Sequence, residues 1–160
     1  MNIETALSKA INILKNAQKI TPAVDAGVIL CFVLSCERAY LLSHYNYELS
    51  RDEEEKYFNL INLRASGIPV QYITGHKEFM SLNFNVNPHV LIPRPETEIL
   101  VETVLNYVGN YNCDKYVRIL DMGTGSGCIA VSLAYYIENC RITALDISEE
   151  ALHTACLNAV

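Results

Sequence analysis

The stretch Asp121-Met122-Gly123-Thr124-Gly125-Ser126-Gly127-Cys128 sets three alternating glycines between two apolar runs. Glycine lets a backbone turn through conformations that other residues avoid and lets it approach a ligand or a neighbouring element closely. Val117 to Met122 is short, apolar and glycine-bounded, which reads as a buried strand; Cys128 to Glu138 reads as the helix that follows. Arg141 to Asp146 is a second strand, and Ser148 opens a second helix. Strand, glycine turn, helix, strand, helix is the start of a doubly wound α/β sheet. A parallel sheet buried on both faces needs more than two strands. Residues 94 to 160 are therefore expected to be the first part of an α/β domain, cut short at Val160.

The same stretch is the candidate site. The free N–H groups at the start of the Cys128 helix attract electron-rich groups, and Gly123 to Gly127 let a ligand come near them. Asp146 closes the next strand 23 residues after Gly123 (146 − 123), where a carboxylate can accept both hydroxyls of a ribose. The dinucleotide fingerprint would require glycine at 128, where Cys128 stands, and no Lys-Ser or Lys-Thr follows any glycine as a Walker loop demands. NAD and ATP are disfavoured. S-adenosylmethionine carries no phosphate and suits the D-x-G-x-G-x-G spacing. Gly123, Thr124, Gly125, Ser126, Gly127 and Asp146 are the expected cofactor contacts. A plainer reading stands beside this one: the glycines make only a tight turn, and Asp146 caps the helix after Ser148. Asp121 has two roles open to it, orienting the loop through its N–H groups or touching the cofactor's ammonium group.

Upstream the periodicity is helical. Ile3, Leu7, Ala10, Ile11 and Leu14 follow Asn2, an N-cap residue. Thr21 and Pro22 launch a second helix whose apolar run, Val28 to Leu34, predicts burial at the centre of a bundle. A third helix is expected over 37–44. Ser50-Arg51-Asp52-Glu53 forms a capping box for a fourth, ending near Ser66 with Gly67 beyond it. The period then changes. Pro69 to Gly75 reads as extended, and Lys77 to Phe79 with Leu82 to Val86 reads as a hairpin turning at Met80-Ser81. Asn87-Pro88-His89 reads as a turn. Pro93-Arg94-Pro95 precedes a helix carrying Glu96 and Glu98 in its first turn and Ile99, Leu100, Val104, Leu105 and Val108 along it, to Gly109. The expected organisation is a helical domain over 1–66, a hairpin connector over 67–93 and the partial α/β domain over 94–160.

Composition narrows the partners. Twelve basic against eighteen acidic residues leave a formal charge of −6, which opposes a broad phosphate-binding surface, so no direct nucleic-acid contact is expected. No apolar run approaches the roughly 20 residues of a membrane span, and the first residues lack a basic head and cleavage site; a cytoplasmic location is expected. The cysteines at 31, 36, 113, 128, 140 and 156 contain no CxxC pair and read as reduced core thiols. The histidines at 44, 76, 89 and 153 have no metal-ligand spacing, so no metal is expected.

Four ordered motifs carry a family resemblance: Pro69-Val70-Gln71-Tyr72-Ile73-Thr74-Gly75; Leu91-Ile92-Pro93-Arg94-Pro95-Glu96-Thr97-Glu98; Asp121 to Gly127; and Asp146-Ile147-Ser148 with Ala151-Leu152 and Asn158-Ala159. Together they resemble the HemK/PrmC glutamine methyltransferases that modify peptide-chain release factors. The resemblance implies a helical substrate-recognition domain, a hairpin connector and a Rossmann-like methyltransferase domain. It further implies S-adenosylmethionine as methyl donor and the glutamine of a release factor's Gly-Gly-Gln motif as acceptor. Motif matching assigns the cofactor loop to residues 123–127 and the ribose to Asp146, and sets Arg94 and Thr97 at the pocket edge. The family positions the substrate amide with an Asn-Pro-Pro-Tyr motif. This chain has none, so the catalytic residues are expected after Val160 and the 160 residues alone are expected to be inactive. Two other readings are compatible with the sequence: a protein-binding module with a vestigial or cofactor-binding α/β half, and a methyltransferase for nucleic-acid amino groups.

Overall fold

The structure, a computed structural model, describes residues 1–111 and 116–159. The chain divides into two compact units, Met1–Thr74 and Gly75–Val160.

The first unit is helical: α1 (Ile3–Asn16), α2 (Pro22–Leu34), α3 (Arg38–Ser43), α4 (Arg51–Ala65) and α5 (Val70–Thr74). Asn2 caps α1 by accepting from Thr5 N, and the Ser50–Glu53 box at α4 is fully formed. Each cap satisfies amides that a helix start leaves without partners. Ile3, Ala6, Ala10 and Leu14 line one stripe of α1 and bury completely with Ile29 and Leu30 of α2 and Tyr57 and Ile61 of α4. The Tyr57 hydroxyl ends its buried path by donating to Ala26 O at 3.1 Å.

Three expectations fail in this unit. The run Val28 to Leu34 is not buried throughout: Ile29 and Leu30 are, whereas Val28 and Phe32 are about two-fifths exposed. A helix turns a new face every residue, and the neighbours of α2, which are α1, α3, α4 and α5, leave part of its surface uncovered. The Lys56 ammonium lies 5.4 Å from the centre of the outward Phe32 ring, a cation–π contact. Secondly, Thr21 makes no side-chain cap; its hydroxyl donates instead to Asp25 Oδ1 at 2.9 Å, while Arg64 Nε reaches Asp25 Oδ2 at 2.6 Å. Thirdly, Pro69 to Gly75 is not extended. Pro69 O accepts from Tyr72 N and Ile73 N, the Thr74 hydroxyl donates to Val70 O, and Val70 buries in the helical core. Proline's fixed φ pre-forms the helix start, and burial overrides the strand preference of Val, Ile and Thr.

The second unit contains β1 (His76–Phe79), β2 (Leu82–Asn85), α6 (Pro95–Tyr111), β3 (Val117–Met122), α7 (Cys128–Tyr136), β4 (Cys140–Leu145) and α8 (Glu149–Asn158). β1 and β2 pair antiparallel, and the two turn residues, Met80 and Ser81, both have positive φ (50° and 59°). That geometry matches the twist of the flanking strands but strains residues bearing a side chain. The turn is anchored by two bonds: Met80 N donates to Glu98 Oε1 at 2.8 Å, and the Tyr136 hydroxyl donates to Met80 O at 2.7 Å. Phe79 and Phe84 bury beneath the hairpin with Val101 and Leu133. Helix α6 runs past the expected end at Gly109, which has no positive φ, and it buries Val101 while Ile99 and Leu100 are more than half exposed. The side facing α7 decides which apolar residues count as core.

β3 and β4 are parallel, Val117 opposite Cys140 through Met122 opposite Leu145. Burial alternates along both, and one face of the pair is exposed, with Leu120, Met122 and Leu145 about half or more accessible. The thiols also divide: Cys128 is buried, Cys31, Cys36 and Cys140 are half-buried, and Cys156 is exposed, contrary to a uniform set of core thiols. Cys113 lies outside the described residues. Among the described residues no helix is long and apolar enough to cross a membrane.

Candidate functional site

The site is built where β3 ends. Gly123 N and Thr124 N both donate to Leu145 O, at 2.8 and 2.9 Å, so the chain leaving β3 folds across the end of β4. Gly123, Gly125 and Gly127 take φ of +76°, +55° and +78°, the left-handed region that glycine enters without a Cβ clash. Gly127 has a second reason to be glycine: a Cβ there would lie 3.1 Å from Ala155 Cβ and 3.2 Å from Ala155 Cα in α8. Gly127 N donates to Thr124 O at 2.9 Å, and Gly127 O accepts from Val131 N at 2.8 Å, joining the turn to α7.

Two carboxylates hold this loop. Asp121 Oδ2 accepts from the Thr124 hydroxyl at 2.7 Å. Asp121 thus orients the loop through a side chain rather than through the N–H groups of Gly123 and Thr124, which Leu145 O already occupies. Asp146 Oδ2 accepts from Gly125 N at 2.8 Å, and its Oδ1 accepts from Ser148 N at 3.0 Å. The Ser148 and Gly125 amides, in that order, hold the Asp146 carboxyl below the usual range of an aspartate, because both stabilise its ionised form. Ser148 itself caps α8 by accepting from Ala151 N at 3.1 Å. Asp146 is therefore not the helix cap of the plainer reading, a task that Ser148 takes; it forms the turn before the cap and also meets the glycine loop.

Thr124 and Ser126 are buried, and Ser126 Oγ has no hydrogen-bond partner. Burial pushes the Cys128 thiol up, a shift that the adjacent Ser126 hydroxyl opposes.

The structure brings Asp121, Gly123, Thr124, Gly125, Ser126, Gly127 and Asp146 together. Arg94 and Thr97 are not joined to them: Arg94 is exposed, Thr97 is half-buried, and the bond between them is Thr97 N donating to Arg94 O at 2.9 Å. Among the described residues no ion pair connects Arg94 to Glu96 or Glu98, and Glu98 Oε1 is engaged by Met80 N.

A second group at the site is invisible to spacing arguments. Asn158 Nδ2 donates to Ser126 O at 2.8 Å and to Asn85 O at 3.0 Å, and its Oδ1 accepts from Asn85 N and Asn85 Nδ2, each at 2.8 Å. Asn87 Nδ2 donates to the Thr154 hydroxyl at 2.9 Å, while Asn87 Oδ1 accepts from His89 N, which is the turn expected for Asn87-Pro88-His89. Asparagines 73 residues apart have no periodic signature. The one signal in the sequence is that Asn158 falls within a family motif.

These features define a helical unit followed by a β-α-β-α unit with a glycine loop and a facing carboxylate. Residues 5–75 match the family described as PrmC N-terminal domain. Along nearly its whole length the chain is similar to proteins named release factor glutamine methyltransferase. It is 45% identical to that of Koribacter versatilis over 99% of this chain and 56% of that protein. The identity is 43% with that of Moorella thermoacetica, covering 99% and 55%, and 39% with that of Clostridium acetobutylicum, covering 99% and 54%. The chain spans about half the length of the curated relatives it matches. It is related by sequence to the release factor glutamine methyltransferases, from the residues that match the PrmC N-terminal domain through the glycine loop and α8.

Proposed function

We propose that this chain comprises the substrate-recognition domain and the first part of the Rossmann-like, S-adenosylmethionine-dependent catalytic domain of a cytoplasmic release factor glutamine methyltransferase. The observation that carries the reading is the Gly125 N to Asp146 Oδ2 bond, which unites loop and acid in one site in a chain related to proteins of that name. The donor set fits the cofactor. The loop has no Lys or Arg to hold a phosphate, and its charged neighbours are the carboxylates Asp121 and Asp146. When bound, S-adenosylmethionine supplies an electrophilic methyl group on sulfonium. Gly123 to Gly127 would meet its methionine portion, and Asp146, whose oxygens can each accept further bonds beyond those from Gly125 N and Ser148 N, would hold the ribose.

The acceptor is the side-chain amide of the glutamine in a Gly-Gly-Gln motif. An amide nitrogen is a weak nucleophile because its lone pair is delocalised, so the enzyme must position it in line with methyl carbon and sulfur. The residues that do this in the family lie outside this sequence, in the half of the relatives that the chain does not span. The exposed face of β3 and β4, which carries Leu120, Met122 and Leu145, supports the same division, because a parallel sheet is normally covered on both sides.

The test uses the complete protein. Calorimetry should show S-adenosylmethionine binding, and mass spectrometry should show one added methyl group on the glutamine of a Gly-Gly-Gln release factor. Asp146→Ala should weaken cofactor binding several-fold or more by removing charge-assisted hydrogen bonds. Unchanged affinity would defeat the ribose role, and absence of both binding and methylation would defeat the function.

A further inference from the structure

We infer that Asn158 is a positioning residue that clamps the glycine loop to the β1–β2 hairpin, so that the hairpin takes part in setting cofactor affinity. The inference rests on the cofactor reading above and adds to it a role for Asn158 and Asn85, residues outside the expected cofactor contacts.

The geometry is specific. An asparagine amide offers two donors and two acceptor lone pairs, and Asn158 uses all four: both Nδ2 donors, to Ser126 O and Asn85 O, and Oδ1 twice, from Asn85 N and Asn85 Nδ2. Three of these bonds go to Asn85, whose N–H and C=O are otherwise outward edge groups at the end of β2. The fourth goes to the carbonyl of the residue between Gly125 and Gly127. Those glycines have broad conformational freedom, and Ser126 between them is buried. Fixing its carbonyl fixes the peptide plane whose other end is Gly127 N, and with it the direction in which the loop presents its groups. Asn158 stands at the last residue of α8, and Ala155 of the same helix abuts Gly127. Helix α8 therefore supports the loop by packing at Gly127 and by hydrogen bonding at Ser126.

The hairpin is a firm anchor for that clamp. Besides Asn158, it is tied to α6 through Glu98 and to α7 through Tyr136, and Phe79 and Phe84 fasten it to the core. Displacing the hairpin edge would pull on Asn158, and Asn158 holds the loop. Because coupling between two sites is reciprocal, cofactor binding at the loop must in turn stabilise the hairpin edge.

Three proteins and two readouts test this in the complete protein: wild type, Asn158→Asp and Asn87→Ala, each titrated with S-adenosylhomocysteine by calorimetry. Asn158→Asp keeps the acceptor for Asn85 but has no N–H for Ser126 O. It also loses the N–H that meets Asn85 O and turns a carboxylate oxygen toward both carbonyls, so binding is expected to weaken about tenfold or more. Asn87→Ala removes a parallel tie between the connector and α8, at Thr154, without touching the loop, and should bind within about twofold of wild type. Equal affinity in wild type and Asn158→Asp, or an equal loss in Asn87→Ala, would overturn the clamp. The second readout needs no variant: in wild type, S-adenosylhomocysteine should slow amide hydrogen exchange at Asn85 as well as in residues 123–127. Protection of the loop without protection of Asn85 would overturn the coupling even if Asn158→Asp failed to fold. Wild type that binds no S-adenosylhomocysteine or S-adenosylmethionine would instead remove the cofactor reading, and the inference with it.

Discussion

The two units of this chain are stabilised by different means. In Met1–Thr74, five helices enclose a continuous set of fully buried side chains from α1, α2 and α4, and the ion pair between helices, Arg64 with Asp25, is held at the edge of that core. In Gly75–Val160 the main contiguous buried cluster among the described residues is smaller, one face of the parallel strands is open, and distant elements are joined by side-chain hydrogen bonds: Glu98 and Tyr136 to Met80, Asn158 to Asn85 and Ser126, Asp146 to Gly125. Apolar burial is non-directional and tolerates small displacements, whereas hydrogen bonds fix particular atoms. A unit that must present a loop in one geometry benefits from the second kind of restraint.

Three perturbations would break or sharpen that contrast. The largest effect belongs to the helical core. Leu30→Ala should destabilise the first unit by about 3 kcal/mol, the usual result of deleting a fully buried leucine side chain, as measured by chemical denaturation. Hydrogen exchange in residues 123–127 should stay near wild type; faster exchange there would mean the two units are not separately stabilised. A smaller effect belongs to the loop. Gly127→Ala adds a Cβ at φ +78° and 3.1 Å from Ala155 Cβ, costing about 1–2 kcal/mol in strain while helical melting of the first unit is preserved. A variant as stable as wild type would show that α8 can yield and that the close approach is not a constraint.

The smallest effect is a pH dependence confined to the second unit. Asp146 has a folded pKa below its ordinary value of 3.8, because Ser148 N and Gly125 N bond the ionised form. Its contribution to stability is therefore complete above that ordinary value and is lost as pH falls through the lowered folded value. The stability difference between wild type and Asp146→Asn should be widest near neutral pH and should close on acidification. A difference that grew as pH fell would reverse the assigned shift.

Much of the second unit is legible in the residues themselves. β3 falls at its expected bounds, because a short apolar run leading into glycines has few alternatives, and the hairpin turn at Met80-Ser81 follows from the alternation on either side. Pro69 to Gly75 departs from its local pattern: Val, Ile and Thr favour strands, whereas burial of Val70 makes the segment helical. The exposed sides of α2 and α6 are not legible, since neither a nearly all-apolar helix such as α2 nor three consecutive apolar residues such as Ile99-Leu100-Val101 in α6 show which stripe will be covered. Ile99 and Leu100 have the composition of core residues, yet Val101 is the one that becomes core.

Local sequence thus determined the order of elements, the glycine loop, the capping box of α4 and the carboxylate that faces the loop, since each depends on residues within a turn or two or on one strand's length. Tertiary structure alone decided that Asn158 would hold both Asn85 and Ser126, and that Gly127 would abut Ala155. Those contacts join residues whose spacing along the chain carries no period. They arise only when packing of the hairpin, the loop and α8 brings particular atoms within the roughly 3 Å that a hydrogen bond or a close backbone approach requires.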